Sequence, residues 1–156
     1  MKITILAVGT KMPAWVNLAY ADYQKRLGRD IILQLIEIRP EKRGGGVDAA
    51  KGMAAEETRI LAAIPPRNQV VILDEHGENW TSMQLAKVLE KWQDASEDVC
   101  FVIGGADGMT ATVKNRADKK IQLSAMTLPH GMVRVLLAEQ LYRAYAILNG
   151  HPYHRE

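Results

Sequence analysis

The stretch "DVCFVIGGADG" (98–108) decides the fold. Val99 to Ile103 is an unbroken apolar run, whereas a strand with one wet face alternates apolar with polar residues. A short continuous run of β-branched and aromatic residues, stopped by two glycines, is the pattern of a strand covered on both faces, as in a parallel sheet. "QVVILDE" (69–75) has the same character. "KITILAV" (2–8), "IILQLIEI" (31–38) and the shorter "KIQLS" (120–124) supply further strands.

Between these runs the period changes to that of helices. In "PAWVNLAYADYQKRL" (13–27), Trp15, Leu18, Ala19, Tyr23 and Leu27 fall near helical intervals. "VDAAKGMAAEETRILAAI" (47–64) is a second helix, stopped by "PPRN" (65–68). "SMQLAKVLEKW" (82–92) is a third, with Thr81 or Ser82 as its N-cap. A short polar helix follows "ADGMT", and a long one follows the loop "AMTLPHG" (125–131) and ends at Asn149-Gly150, a C-cap signal. Strands alternating with helices specify an α/β protein, a mostly parallel sheet flanked by helices. Neither an internal repeat nor a second core interrupts the pattern, so residues 1–156 are expected to form one domain. The loop "RPEKRGGG" (39–46) reads as a mobile loop within it.

The composition is that of a globular chain: 156 residues, 47% hydrophobic and 24% charged. Such a length buries a core without disulfides. The one cysteine, Cys100, lies in an apolar run and reads as a buried, inert thiol, consistent with a reducing compartment. No secretory signal opens the chain and no run approaches the roughly 18 apolar residues of a membrane span. A cytoplasmic protein without membrane partners is the expectation. The net charge of +2 does not specify nucleic acid, but cations cluster locally at Lys25, Arg26 and Arg29, at Arg39, Lys42 and Arg43, and at Lys114, Arg116, Lys119 and Lys120.

The final helix has few polar side chains between Met132 and Leu148. A helix apolar on nearly all sides must be covered on nearly all sides. Either it is a central core helix or a second copy of the chain covers it; the dimer is the favoured expectation.

In parallel α/β sheets, ligands sit beyond the carboxyl ends of the strands. Three ends stand out: "VVILDE", "FVIGGADG" and "IQLSAMTLPH". Gly104 and Gly105 allow close approach to the backbone. The loop with Ser124, Thr127 and Pro129 is apolar enough to line a pocket and rich in backbone donors. Together they suit a flat, partly apolar ligand such as an adenosine, although each motif alone also fits an ordinary turn. A Walker phosphate loop and a nucleophile elbow are both missing from the sequence. His151 and His154 form H-x-x-H, but no neighbouring cysteine or H-E-x-x-H context completes a zinc site, so no metal is expected.

Taken together, "LAVGTKMPAWV", "IGGADG" and "LSAMTLPHGMVRVLLAEQLYRAYAILNGHPYHRE" resemble the RlmH family over the whole chain. These are SPOUT-class methyltransferases of bacterial 23S ribosomal RNA that modify N3 of a pseudouridine. The resemblance implies a deep trefoil knot near the C-terminus, against the general rule that chains do not knot. It implies S-adenosylmethionine as methyl donor, contacted by Leu73, Gly105, Ser124, Ala125, Met126, Thr127, Leu128 and Pro129. It implies a homodimer, and as substrate pseudouridine 1915 in helix 69 of the 23S rRNA, within the assembled 70S ribosome. Two positions depart from the family pattern: Met126 stands where leucine is usual, and Ala106 where proline is often found.

The tail "HPYHRE" (151–156) then acquires a chemical reading. The imide proton at N3 must leave before or during attack, which calls for a base and for a cation beside the ring carbonyls. His154 is the candidate base or substrate orienter and Arg155 the anion stabiliser or phosphate contact; Tyr153 helps to form the base pocket. Blander readings stand beside these: Tyr153 as a packing residue, Arg155 paired with Glu156, His130 as a structural residue opening the last helix, and His76 as a solvated one. Lys11, Arg26, Lys42, Arg43 and Arg134 are candidates for phosphate contact. A non-catalytic ribosomal-RNA-binding dimer and a SPOUT enzyme acting on tRNA are the alternative functions.

Overall fold

The computed structural model describes residues 1–42 and 48–155, the side chains of His154 and Arg155 excepted. The glycines of the 39–46 loop, Arg43 and Glu156 therefore lie outside the described residues. The elements are β1 (Lys2–Val8), α1 (Ala14–Arg26), β2 (Ile32–Ile38), α2 (Ala49–Ala63), β3 (Asn68–Asn79), α3 (Ser82–Asp94), β4 (Asp98–Ile103), α4 (Ala111–Arg116), β5 (Lys119–Gln122), α5 (His130–Leu148) and a short 3-10 turn (Pro152–Arg155). The sheet order is β2-β1-β4-β3-β5 and every described pair is parallel. Its inner strands β1 and β4 are buried on both faces.

Alternate residues of each central strand serve two cores. Ile3, Ile5, Val99 and Phe101 pack against α1, α3 and α5. Leu6, Val8, Cys100 and Val102 pack under α2 and α4. Burial raises the Cys100 thiol pKa to about 12, which makes it the inert group expected. Thr81, not Ser82, caps α3, through a reciprocal capping box with Gln84. Gly150, with φ +66°, terminates α5. Among the described residues no helix is long and apolar enough to cross a membrane.

Three expectations change. In α1 the inward residues are Val16 and Tyr20, while Trp15 and Leu18 are 53% and 71% exposed. Trp15 and Leu18 contributed to the periodicity but lie on the outer face, while Tyr23 and Leu27 pack on the core as expected. β3 runs on to Asn79, past the polar residues that read as a loop. And α5 is the central helix: it packs between α1 and α3 against the sheet, and none of its residues is exposed. Eight of its nineteen residues are buried and the others half-buried within one chain, so its apolar circumference neither demands nor excludes a partner.

Arg134, read as a surface cation for phosphate, is 1% exposed. Its Nη1 donates to Glu37 Oε2 at 2.6 Å and its Nη2 to the Gly9 carbonyl at 3.2 Å. It therefore ties the second turn of α5 to the carboxyl ends of β1 and β2 and is not available to RNA. Arg26 is bonded to Asp22 and lies near the Tyr23 and Tyr142 rings, yet it is exposed. Lys11 and Lys42 remain exposed.

Replacing Arg134 by methionine removes this tie while keeping most of the volume. Glu37 is 36% exposed and can reach water, so the loss should be smaller than for a sealed ion pair. A destabilisation of about 2–3 kcal/mol in urea unfolding is expected.

Candidate active site

β3, β4 and β5 end side by side: Leu73 is in register with Ile103 on one side and Ile121 on the other. Beyond them the chain does three different things. After Leu73, residues 74–77 bulge out and the strand returns, so that Glu78 pairs with the same Ile121 that Leu73 pairs with. Gly77 lies flat on β5: a Cβ there would be 2.6–2.7 Å from the backbone N, Cα and C of Ile121. After Ile103 the chain turns tightly, with Gly108 N–H donating to the Gly105 carbonyl at 3.0 Å. The positive φ in this turn belongs to Gly108, not to Gly104 or Gly105. Gly105 is required for a different reason, since a Cβ would meet Glu56 Oε1 at 2.8 Å and Val8 Cγ1 at 3.1 Å. After Gln122, residues 123–129 cross the sheet end to reach α5.

These segments enclose a cavity of about 730 Å³. Leu73, Gly105, Ser124, Ala125, Met126, Thr127 and Leu128 all line it. Pro129 is exposed and serves as the residue entering α5, with φ −59°. Ser124 Oγ accepts from the Met126 N–H at 2.9 Å, which shapes the loop and leaves the Met126 side chain 78% exposed.

The cavity also has polar members that sequence reasoning did not single out. Asp74 and Lys114 pair on its wall, Oδ2 to Nζ 3.8 Å. The placement of Asp74 directly after Leu73 at a strand end was the signal for it. His130, at the first turn of α5, lines the wall; burial lowers its pKa, and the nearby Arg134 charge adds to that. It is therefore a neutral imidazole at pH 7, and its buried Nε2 has no hydrogen-bond partner among the described residues. Glu56, 2% exposed on α2, backs Gly105 and accepts from the Glu41 N–H at 2.9 Å. His76, on the outer rim, is solvated as expected. Among the described residues no three His, Cys, Asp or Glu side chains gather as metal ligands.

The tail lies elsewhere. Pro152–Arg155 folds back on α5 as a 3-10 turn. Tyr153 Oη donates to Glu139 Oε2 at 2.8 Å, and Arg143 donates to the same oxygen from Nε at 3.1 Å and Nη2 at 2.8 Å. The Arg143 guanidinium lies 4.8 Å from the Tyr153 ring centre and Tyr142 meets that ring edge-on at 4.7 Å. Burial, then hydrogen bonding with Tyr23 and Glu139, holds the Tyr153 phenol protonated. Glu139 is nine residues along α5 from His130, roughly 13 Å at 1.5 Å per residue. In one chain, therefore, Tyr153 does not line the cavity. The side chains of His154 and Arg155 lie outside the described residues.

A family model described as "Predicted SPOUT methyltransferase" matches residues 1–154. The chain is 69% identical to a protein of Chromobacterium violaceum over the full length of both. It is 68% identical to one from Laribacter hongkongensis and 64% identical to one from Neisseria meningitidis, again over the full length of each. All three relatives carry the name ribosomal RNA large subunit methyltransferase H.

Two outcomes follow from the geometry. Gly77→Ala must lift the 74–77 bulge off β5, at a cost of about 1–3 kcal/mol; faster amide hydrogen exchange at Ile121 and Gln122 reports it. His130 has a folded-state pKa below its unfolded one, so the unfolded chain takes up the proton first. Its contribution to stability is complete above about pH 6.5 and is lost as pH falls through the lower folded value. Denaturation between pH 7.5 and 5 should show this loss, and His130→Asn should reduce it.

Proposed function

This chain belongs to the SPOUT methyltransferases, within them to the RlmH family, and from that premise we propose that it methylates N3 of pseudouridine 1915 in helix 69 of 23S rRNA, in the assembled 70S ribosome, with S-adenosylmethionine as donor. The observation that carries the reading is the cavity itself. Seven of the eight positions expected to hold the donor, drawn from three separate strand ends, line one space of about 730 Å³. That volume is in the range of small-molecule sites, about 300–1,000 Å³.

The lining suits the donor chemically. Leu73, Leu123 and Leu128 offer apolar surface to an adenine ring, and the backbone of the 123–128 loop offers donors and acceptors to its edge. Asp74, Glu75 and Asp107 put carboxylates on the wall, which favour a sulfonium and an ammonium. The buried Nε2 of neutral His130 is an unclaimed acceptor or donor there. When bound, S-adenosylmethionine supplies a methyl group activated by a positively charged sulfur.

The chain's own residues have to prepare the acceptor. N3 carries a proton that must go elsewhere as the new N–C bond forms; His154 accepts it on an imidazole nitrogen. Arg155 stabilises the negative charge that develops on the ring carbonyls. Tyr153, held as a phenol, acts by packing and hydrogen bonding and does not transfer the proton.

The tail latched along its own α5, away from the cavity of the same chain, favours a homodimer in which one subunit's tail completes the other's site. The exposed Trp15 and Leu18 on α1 give such a partner an apolar surface to cover. A trefoil knot belongs to the same reading. The 123–129 segment runs from β5 past the ends of β3 and β4 to β1, where the threading of a knot would occur. A single domain spanning 1–156 and a cytoplasmic location complete it.

Deleting residues 151–156 should abolish methylation of 70S ribosomes while calorimetric binding of S-adenosylmethionine persists. Normal methylation by the truncated chain would remove the tail from the mechanism. Nucleoside mass mapping after incubation with ribosomes or with tRNA should place the methyl group on the ribosomal pseudouridine; a tRNA product would refute the substrate. Tyr153→Phe loses the hydroxyl's hydrogen bonding with Glu139 and Tyr23 while keeping the ring, and a fall in turnover of about ten-fold, near the worth of one hydrogen bond to a charged group, is expected in single-turnover assays.

A further inference from the structure

The 123–129 segment has a second side. Behind it, between α3, α5 and the end of β5, lies a separate cavity of about 410 Å³. Its floor is apolar, from Leu85, Leu136 and Leu137, and its rim carries Trp80, Ser82 and Gln140. It shares Gln122, Leu123, Ser124 and Leu128 with the larger cavity, so the two spaces lie on opposite sides of one loop.

The rim is chemically specific. Ser82 Oγ donates to Gln140 Oε1 at 2.6 Å, and Gln140 Nε2 donates to Glu139 Oε1 at 2.8 Å. The other oxygen of Glu139 accepts from Tyr153, so hydrogen bonds join this cavity to the tail. Trp80 Nε1 donates to Glu78 at 3.2 Å, which satisfies the indole's donor. Lys119 Nζ stands 6.0 Å from the centre of the Trp80 ring. Lys119 and its neighbour Lys120 are exposed on β5, and neither forms an ion pair among the described residues. An aromatic wall, a hydroxyl–amide pair and a cation, Lys119, beside the aromatic ring are elements with which proteins hold a single unstacked base and its phosphate.

We propose that this second cavity takes one unstacked base of the substrate RNA against Trp80, with Lys119 on the adjoining phosphate. The proposal rests on the RNA-substrate reading above and adds a contact to it. A base held there would lie behind the loop that lines the larger cavity and beside the residues that anchor the tail. Ser82 and Gln140 supply both a donor and acceptors to its edge. Engagement of the base would thus be felt by the donor loop and by the Glu139–Tyr153 contact together.

The test uses the full chain, 70S ribosomes in a sedimentation assay and S-adenosylmethionine in calorimetry. Trp80→Ala should bind ribosomes about ten-fold more weakly, from the loss of one stacked base. Trp80→Phe, which keeps a stacking face, should stay within about two-fold. Lys119→Gln should lower the slope of log K against log salt by about 0.7–0.9, the loss of one phosphate contact. All three should bind S-adenosylmethionine as the parent chain does. Undiminished ribosome binding by Trp80→Ala would overturn the assignment of this cavity. So would a parallel loss of donor affinity, which would give the cavity to the donor loop instead. If the parent chain itself fails to sediment with ribosomes, the substrate reading and this contact fall together.

Discussion

The structure turns on one crossing. β5 lies at an edge of the sheet, yet the helix that follows it begins beside β1, with His130 and Arg134 against Gly9. Three inter-strand spacings, roughly 14 Å, separate the two places. Residues 123–129 have to span that distance, and the only way leads past the carboxyl ends of β3 and β4. Seven residues, at up to ~3.4 Å each, reach about 24 Å, enough to cross with length left over for the turns of the loop. The crossing therefore closes off the space beyond those strand ends, and the larger cavity is its direct result. Arg134 secures the far side, with its guanidinium on Glu37 and the Gly9 carbonyl; Gly77 pressed on Ile121 secures the near side.

Between those anchors the chain sorts its ionisable groups by environment. Arg134 and Glu56 are buried and engaged, while His130 is kept neutral by burial. Asp74 and Lys114 face the cavity, and Lys119 and Lys120 face outward on the sheet edge. The tail is bonded to a carboxylate halfway along α5. One end of that helix thus shapes the larger cavity while its middle carries the tail, and the rigid helix between them fixes their separation.

The α/β class and the order of elements were legible because fully buried strands and amphipathic helices leave different periods in sequence. The three strand ends were legible as well, for glycines after an apolar strand and a long apolar loop before a helix are local signals. What escaped were properties decided by distant contacts. Arg134 reads as a surface cation until Glu37, from the strand "ILQLIEI", is known to lie beside it; a carboxylate within an apolar strand was the available hint. The extension of β3 through Gly77 escaped because Glu75, His76 and Glu78 look like a loop, and only the close approach to Ile121 makes the segment a strand. In α1 the large side chains Trp15 and Leu18 suggested an inner face that belongs to Val16 and Tyr20. The apolar circumference of α5 left open a central helix or a partner; within one chain α1, α3 and the sheet bury eight of its nineteen residues and leave the others half-buried.

The position of α5 also bears on how the chain is made. Leu137, Ala138, Leu141 and Tyr142 fill the core over Ile3, Ile5 and Phe101, so residues from both ends of the sequence share one hydrophobic cluster. β1 lies between β2, its near neighbour in sequence, and β4, which is synthesised far later. Until α5 emerges from the ribosome, one face of the sheet is only partly covered, by α1 and α3. The nascent chain therefore carries an apolar surface for most of its synthesis and relies on late, long-range contacts to bury it, the situation in which folding is slow and aggregation competes.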